Sequence, residues 1–125
     1  MPILTVKGIP NVVKSDHLND LAYELASVTG MCLAIFPEEV SVFFPSDLLQ
    51  RGLGEELICV VDGLFESPDR TNFGRQRLAE AIARALRKFA KDYLPKCKKV
   101  EVILYRFNQS CDGFATFDPR KSGND

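Results

Sequence analysis

Hydrophobic positions along the chain change period several times, and each change marks an element. Ile3, Leu4 and Val6 make a short apolar strand running to Gly8, after which Pro10 and Asn11 break the chain. Leu18, Leu21, Ala22, Leu25 and Val28 then recur in three- and four-residue steps, which predicts an amphipathic helix. Ser15 or Asp16 is placed to cap its start, and Gly30 follows its expected end near Thr29. Met31 to Pro37 reads as a loop, and Val40-Ser41-Val42-Phe43-Phe44 as a second strand stopped by Pro45. Ser46 to Gly54 fits a short turn or a single helical turn. The most hydrophobic run, Leu57 to Phe65, is β-branched and too short for a good helix, so it suits a central strand buried on both faces.

A turn-rich link, Glu66 to Asn72, leads into the longest helix, expected to end near Tyr93. Leu78, Ile82, Ala85, Leu86, Phe89 and Tyr93 form its apolar stripe, while Arg77, Glu80, Arg84, Arg87 and Lys88 form a charged, solvated face. Pro95 closes the helix and Val100 to Tyr105 makes a fourth strand. Phe107 to Phe117 is long enough for one more short strand or hairpin, and the polar residues after Asp118 are expected to fray.

The order strand–helix–strand occurs twice, with Val40-Ser41-Val42 and Val100-Glu101-Val102 in equivalent slots. The expectation is an α+β fold of two tandem βαβ repeats, residues 2–45 and 56–107, within one domain over residues 1–118 and a flexible tail at 119–125. Parallel, right-handed crossovers would join the repeats into one four-stranded sheet with both helices on one face. The other sheet face then needs cover, which a homo-oligomer supplies.

Composition narrows the function classes. The formal charge of −1 gives no global attraction to nucleic acid or to an anionic membrane, although it leaves room for a local basic pocket. No apolar run reaches the roughly 20 residues of a membrane span, and the start lacks a signal-peptide pattern, so a cytoplasmic location is expected. Cys32, Cys59, Cys97 and Cys111 are irregularly spaced and His17 is the only histidine, so neither a metal site nor disulfides are expected. His17 is expected simply to be exposed, and Cys59 to act as a small buried hydrophobe.

The candidate chemistry lies at the start. Removal of Met1 would make Pro2 a free secondary amine held at the edge of a sheet. An α-amine titrates near pH 8, and apolar surroundings or a nearby cation favour its neutral form, which makes it a usable general base.

Pro2 opening a strand, Thr29-Gly30 at the first helix end, the apolar third strand, Tyr105-x-Phe107-Asn108 and Gly113-Phe114 together resemble the tautomerase superfamily. The resemblance is to the double-length form typified by macrophage migration inhibitory factor. Lys14-Ser15-Asp16 also looks like the helix entry of 4-oxalocrotonate tautomerase. The resemblance covers residues 2 to about 117 and implies a trimer with sites at subunit boundaries. It implies keto–enol proton transfer by the N-terminal proline on small 2-oxo acids, without metal or organic cofactor.

On that resemblance Arg70, in the strand-to-helix turn, is the expected substrate-binding arginine, because a planar guanidinium grips a carboxylate at two points. Lys14 matches the slot of a carboxylate-binding arginine. Glu101 lies where relatives carry a tyrosine or arginine supplied by a neighbouring subunit; there it would repel an acidic substrate or pair with Arg70. Tyr105 is a candidate proton donor, and Phe107 and Phe114 an aromatic wall. Met31 and Ile103 replace a basic and a polar residue of the inhibitory factor. Two other readings stay open: a non-catalytic or regulatory ligand-binding module on the same scaffold, and a ferredoxin-like binding domain with the same βαββαβ order. The RNA-binding form of the latter lacks its aromatic-rich signature here, and a Ser-His-Asp hydrolase has little support.

Overall fold

The structure, a computed structural model, describes residues 2–46, 54–108 and 111–120. The expected turn over 46–54 and the tail lie largely outside these residues, and Met1 lies outside them too.

Strand β1 (Ile3–Lys7) is followed by helix α1 (Ser15–Leu33), a 3-10 turn (Pro37–Glu39) and strand β2 (Ser41–Phe43). The second repeat supplies β3 (Glu56–Phe65), α2 (Asn72–Tyr93) and β4 (Lys99–Phe107). They build a four-stranded sheet in the order β2-β1-β3-β4. β1 pairs parallel with β2, and β3 parallel with β4, so each repeat is a βαβ unit. The repeats meet through antiparallel pairing of β1 with β3, from Ile3↔Asp62 to Lys7↔Ile58. The expected four-stranded α+β architecture is the observed one. A ferredoxin-like split βαβ is excluded, because β1 and β2 are direct neighbours with no strand between them.

Period-two alternation decides which face meets the helices. Leu4, Val6, Leu57, Cys59 and Val61 are fully buried and pack with Leu21, Leu25, Leu78, Ile82 and Leu86 in one core. Across the sheet, Leu4, Val61 and Leu104 share one register row and Val6, Cys59 and Val102 another. The opposite face carries the row Phe43, Thr5, Val60 and Ile103, with Phe43 and Ile103 exposed. β3 is therefore central but not buried on both faces, since Ile58 and Val60 are only half-buried on the helix-free side.

Several boundaries differ from those the sequence suggested. α1 continues past Gly30 to Leu33 and ends at Ala34, which takes the left-handed conformation at φ 57°. Gly30 serves a different need: a Cβ there would lie 2.8 Å from the carbonyl of Ile35, where the chain folds back. Ile35 N–H donates to the Gly30 carbonyl at 3.0 Å, which holds that return in place. At the other end the N-cap is Lys14, without a side-chain cap, rather than Ser15 or Asp16. β2 is shorter than expected and β4 longer. No strand forms among the described residues after Phe107; Cys111 and Asp112 N–H groups instead donate to the Asn108 carbonyl. His17 is not simply exposed, because its ring stacks on Tyr93 at 4.1 Å between centroids, tying the α1 start to the α2 end. No helix among the described residues is long and apolar enough to cross a membrane.

Two measurements test this packing. Burial pushes the Cys59 thiol up to about 12. Native protein should therefore be alkylated at Cys32 and Cys111 while Cys59 stays unmodified until unfolding. The same shift makes stability fall as pH rises from about 9 toward 12, because the unfolded thiol ionises first. Gly8 sits at φ 101° with its Cα against the Glu56 carbonyl, so a methyl there collides with backbone. Gly8→Ala should lower unfolding free energy by about 1–3 kcal/mol in urea titrations.

Candidate active site

The pairing directions bring four strand ends together. The starts of β1 and β2 and the ends of β3 and β4 lie at one end of the sheet. Pro2 stands at this end, buried in step with Leu4 and Val6. Its carbonyl accepts the Ser41 N–H at 3.1 Å, extending the β1–β2 ladder by one bond. The strand Pro2 opens is an inner strand flanked by β2 and β3, not the sheet edge that the sequence suggested. An inner position matters physically, because neighbours on both sides exclude water from the strand start.

At the same end, β3 turns into α2. Gly63 adopts φ 74° at a register shift between Val61 and Leu64, where β3 carries one more residue than β4. Leu64 thereby stays buried and opposite Arg106. The turn is fastened by the Arg70 N–H donating to the Ser67 carbonyl at 2.9 Å, and by Thr71 Oγ1 accepting the Gly74 N–H at 3.1 Å. Thr71 is thus the N-cap of α2, and the Asn72–Arg106 bond places the first turn of that helix at the end of β4.

Three arginines converge here. Arg70 Nη1 donates to the Phe65 carbonyl at 2.6 Å, which fixes its guanidinium against the end of β3. Arg106 Nη2 donates to Asn72 Oδ1 at 2.7 Å, tying β4 to the start of α2. Arg75, one turn into the helix, has its Nη1 shut off from solvent without a hydrogen-bond partner. Burial, then repulsion from Arg106 and Arg70, holds Arg75 below its ordinary value, with Glu66 acting in the opposite sense. An unpaired buried N–H of a cation costs free energy until an acceptor meets it. The three guanidinium groups border a cleft of about 490 Å³ that also includes Glu66, Ser67 and Asn108. A smaller cavity of about 160 Å³ lies beside it, between Arg70, Arg75, Leu64 and Cys32.

Arg70 is therefore in the cleft; Pro2 begins its strand on the same end of the sheet but is not among the residues that line that cleft. Phe107 and Phe114 gather with Phe65, their rings 5.0 to 6.1 Å apart. Tyr105 is exposed, beside Arg106 on the opposite side of β4. Lys14 and Glu101 lie elsewhere in the protomer. Lys14 is exposed at the start of α1, beyond the far end of β1, and Glu101 is near the start of β4, opposite Ile58. Glu101 does not pair with Arg70. Its carboxyl is held below the usual range by a hydrogen bond with Glu56 first and by Lys99 second, whose Nζ is 3.2 Å away. Arg75 and Arg106 were not singled out from sequence. The period-two run Val102, Leu104, Arg106 was a usable signal for the second, since it turns Arg106 toward the helix layer. Among the described residues no group of three His, Cys, Asp or Glu side chains is placed to hold a metal ion.

No family model matches the chain, and no curated protein sequence matches it. Its fold, however, is the tautomerase fold. Pt0534 inactivated by 2-oxo-3-pentynoate superposes with a TM-score of 0.68 at 19% identity, covering 90% of this chain and 92% of that one. Native fused 4-OT gives 0.65 at 15% identity, covering 90% and 91%. N1, a member of the cis-3-chloroacrylic acid dehalogenase family, gives 0.67 at 15% identity, covering 95% and 81%.

The unpaired guanidinium predicts an anion response. Malonate should raise the thermal midpoint of the wild type, and Arg75→Leu should remove most of that rise. Without ligand, Arg75→Leu should cost less than about 1 kcal/mol, since it also removes repulsion and an unmet donor. An unchanged wild-type midpoint in malonate would show that the cleft does not hold a carboxylate.

Proposed function

We propose that this chain is a cofactor-independent isomerase that moves a proton between carbon and oxygen of a small 2-oxo acid, with Pro2 as the base once Met1 is removed. The observation that carries this reading is the convergence of Arg70, Arg75 and Arg106 on a cleft at the sheet end where the buried Pro2 begins. It is supported by the tautomerase fold, and by a neighbour of that fold described as inactivated by 2-oxo-3-pentynoate.

The chemistry follows from these groups. A secondary amine at a buried strand start, on the sheet end that also carries three guanidinium groups, is disfavoured in its protonated form. The neutral nitrogen takes a proton from oxygen or from the carbon next to the carbonyl. Negative charge then spreads over the enolate, and guanidinium groups held by the Phe65 carbonyl and Asn72 stabilise it without having to reorganise. The substrate carboxylate is taken up among the three guanidinium groups, and a turn of the Arg75 side chain toward it gives the buried Nη1 its acceptor. The protonated amine finally returns its proton to carbon, so the base is restored and no other reagent is consumed.

The working unit in this reading is a homotrimer. Fused 4-OT structures are described as trimers, and the helix-free sheet face here presents Phe43, Ile103 and Tyr105 to solvent. Lys14 and Glu101, remote from the cleft in their own protomer, would reach a site only in a neighbouring copy. The partners are therefore a small carbonyl acid and further copies of the chain, with no nucleic acid or membrane at this site.

Mass spectrometry of native protein should find Met1 absent; its retention leaves Pro2 an amide and removes the proposed base. Ketonisation of phenylenolpyruvate should fall roughly 10²-fold or more in Pro2→Ala. Its kcat/KM should rise with pH through the titration of the Pro2 amine. Arg75→Gln should raise KM about tenfold with a smaller effect on kcat. Activity unaffected by Pro2→Ala would leave a ligand-binding scaffold as the better description. Light scattering should give three chains per particle.

A further inference from the structure

A second concentration of cations lies outside the cleft, on the later turns of α2 and the start of β4. Residues 84–99 hold seven Lys or Arg and one Asp, a net +6 in a chain whose total is −1. Arg84, Arg87 and Lys91 stand along the last turns of α2, and Lys98 and Lys99 enter β4 beside them. Between them runs a groove of about 750 Å³, with Ala83, Ala90, Leu94 and Val100 among its lining. Among the described residues the only ion pair reaching this patch is Lys99 with Glu101. Glu80 lies at the α2 side of the groove, where it accepts from Gln76 at 3.3 Å.

Structural causes account for only part of this charge. The negative end of the helix dipole favours a cation in the last turn, which explains Lys91. It does not explain Arg84, two turns earlier, or Lys98 and Lys99, which are outside the helix. Like charges at this density repel one another, and a bound polyanion relieves that repulsion.

We propose that this groove binds a nucleotide-type ligand, a planar ring carrying a di- or triphosphate. Arg84 and Lys91 are about 10 Å apart along the helix axis, a span within which a phosphate chain can meet several cations. Ala83 on α2 and Val100 on β4, both half-buried, give the ring an apolar floor, with Ala90 and Leu94 buried beneath it. A single-stranded nucleic acid is less well served, because no aromatic platform lines the groove. Phe89 is buried and Tyr93 is already stacked on His17. A membrane surface is also disfavoured, since the apolar residues are recessed below the cationic rim rather than projecting past it. Nothing in the proposal depends on the isomerase reading, because the groove shares no lining residue with the arginine cleft.

Calorimetric titration of the full chain with ATP, inorganic tripolyphosphate and adenosine, at about 0.15 M salt, tests it. ATP should bind with Kd below about 1 mM, more tightly than tripolyphosphate, and adenosine should show no saturable heat. Arg84→Glu with Arg87→Glu, both exposed, should weaken ATP binding about tenfold or more with unchanged circular dichroism. Lys98→Glu should weaken it from the strand side, and ATP should slow alkylation of Cys97, which lies in the groove. Four outcomes would overturn the proposal: no saturable ATP binding, equal affinity for tripolyphosphate, loss of binding in Arg75→Gln but not in the double variant, or tighter binding of single-stranded RNA or phosphatidylserine vesicles abolished by the same double variant.

Discussion

The antiparallel pairing of β1 with β3 is the contact on which the rest of the molecule depends. Each βαβ repeat by itself would be a two-stranded sheet with one helix, too small to bury its apolar stripe. Joining them edge to edge makes Leu4, Val6, Cys59 and Val61 the middle of a shared core under both helices. Because the junction is antiparallel, the start of the first repeat lies at the same sheet end as the finish of the second. Pro2 and the β3–α2 turn lie at one end of the sheet for that reason.

Charge is distributed by the same architecture. At one sheet end, Arg70 and Arg106 are tied down by the Phe65 carbonyl and Asn72, while Arg75 keeps an unmet donor. Rigid, partly dehydrated guanidinium groups suit a small anion held in one orientation. Along the far half of α2 the cations are mostly exposed and long, arranged around a groove with a partly buried apolar floor. The first arrangement favours geometric selection of a carboxylate, the second a larger, more highly charged ligand. The thioether-free, largely aliphatic core between them keeps the two patches separate.

Much of this was legible in the chain. Apolar periods of about 3.6 and of 2 gave both helices and all four strands, and α2 ended at Tyr93 as its stripe predicted. The duplication was visible in the repeated strand–helix–strand order. Boundaries went astray where a residue serves a tertiary contact instead of a local signal. Gly30 looks like a helix stop, yet it is there to let the returning chain pass, and the helix runs on to Leu33. Lys14, rather than Ser15 or Asp16, occupies the cap because the backbone enters the helix one or two residues earlier. Among the cleft's lining residues, Arg70 was expected from the family resemblance, whereas Arg75 was hidden among the many charges of an amphipathic helix.

The sequence by itself determined which residues turn inward, because side-chain period is a property of local backbone geometry. It also determined that Pro2 leads directly into a strand. Only the tertiary structure decided that this strand is an inner one and that Pro2 shares its sheet end with three arginines. It also decided that Glu101 stands at the opposite end of the sheet from Arg70, paired with Lys99. Those facts depend on the direction and register of two strand pairings, β1 with β3 and β3 with β4, between residues roughly forty to sixty positions apart, which no local pattern encodes.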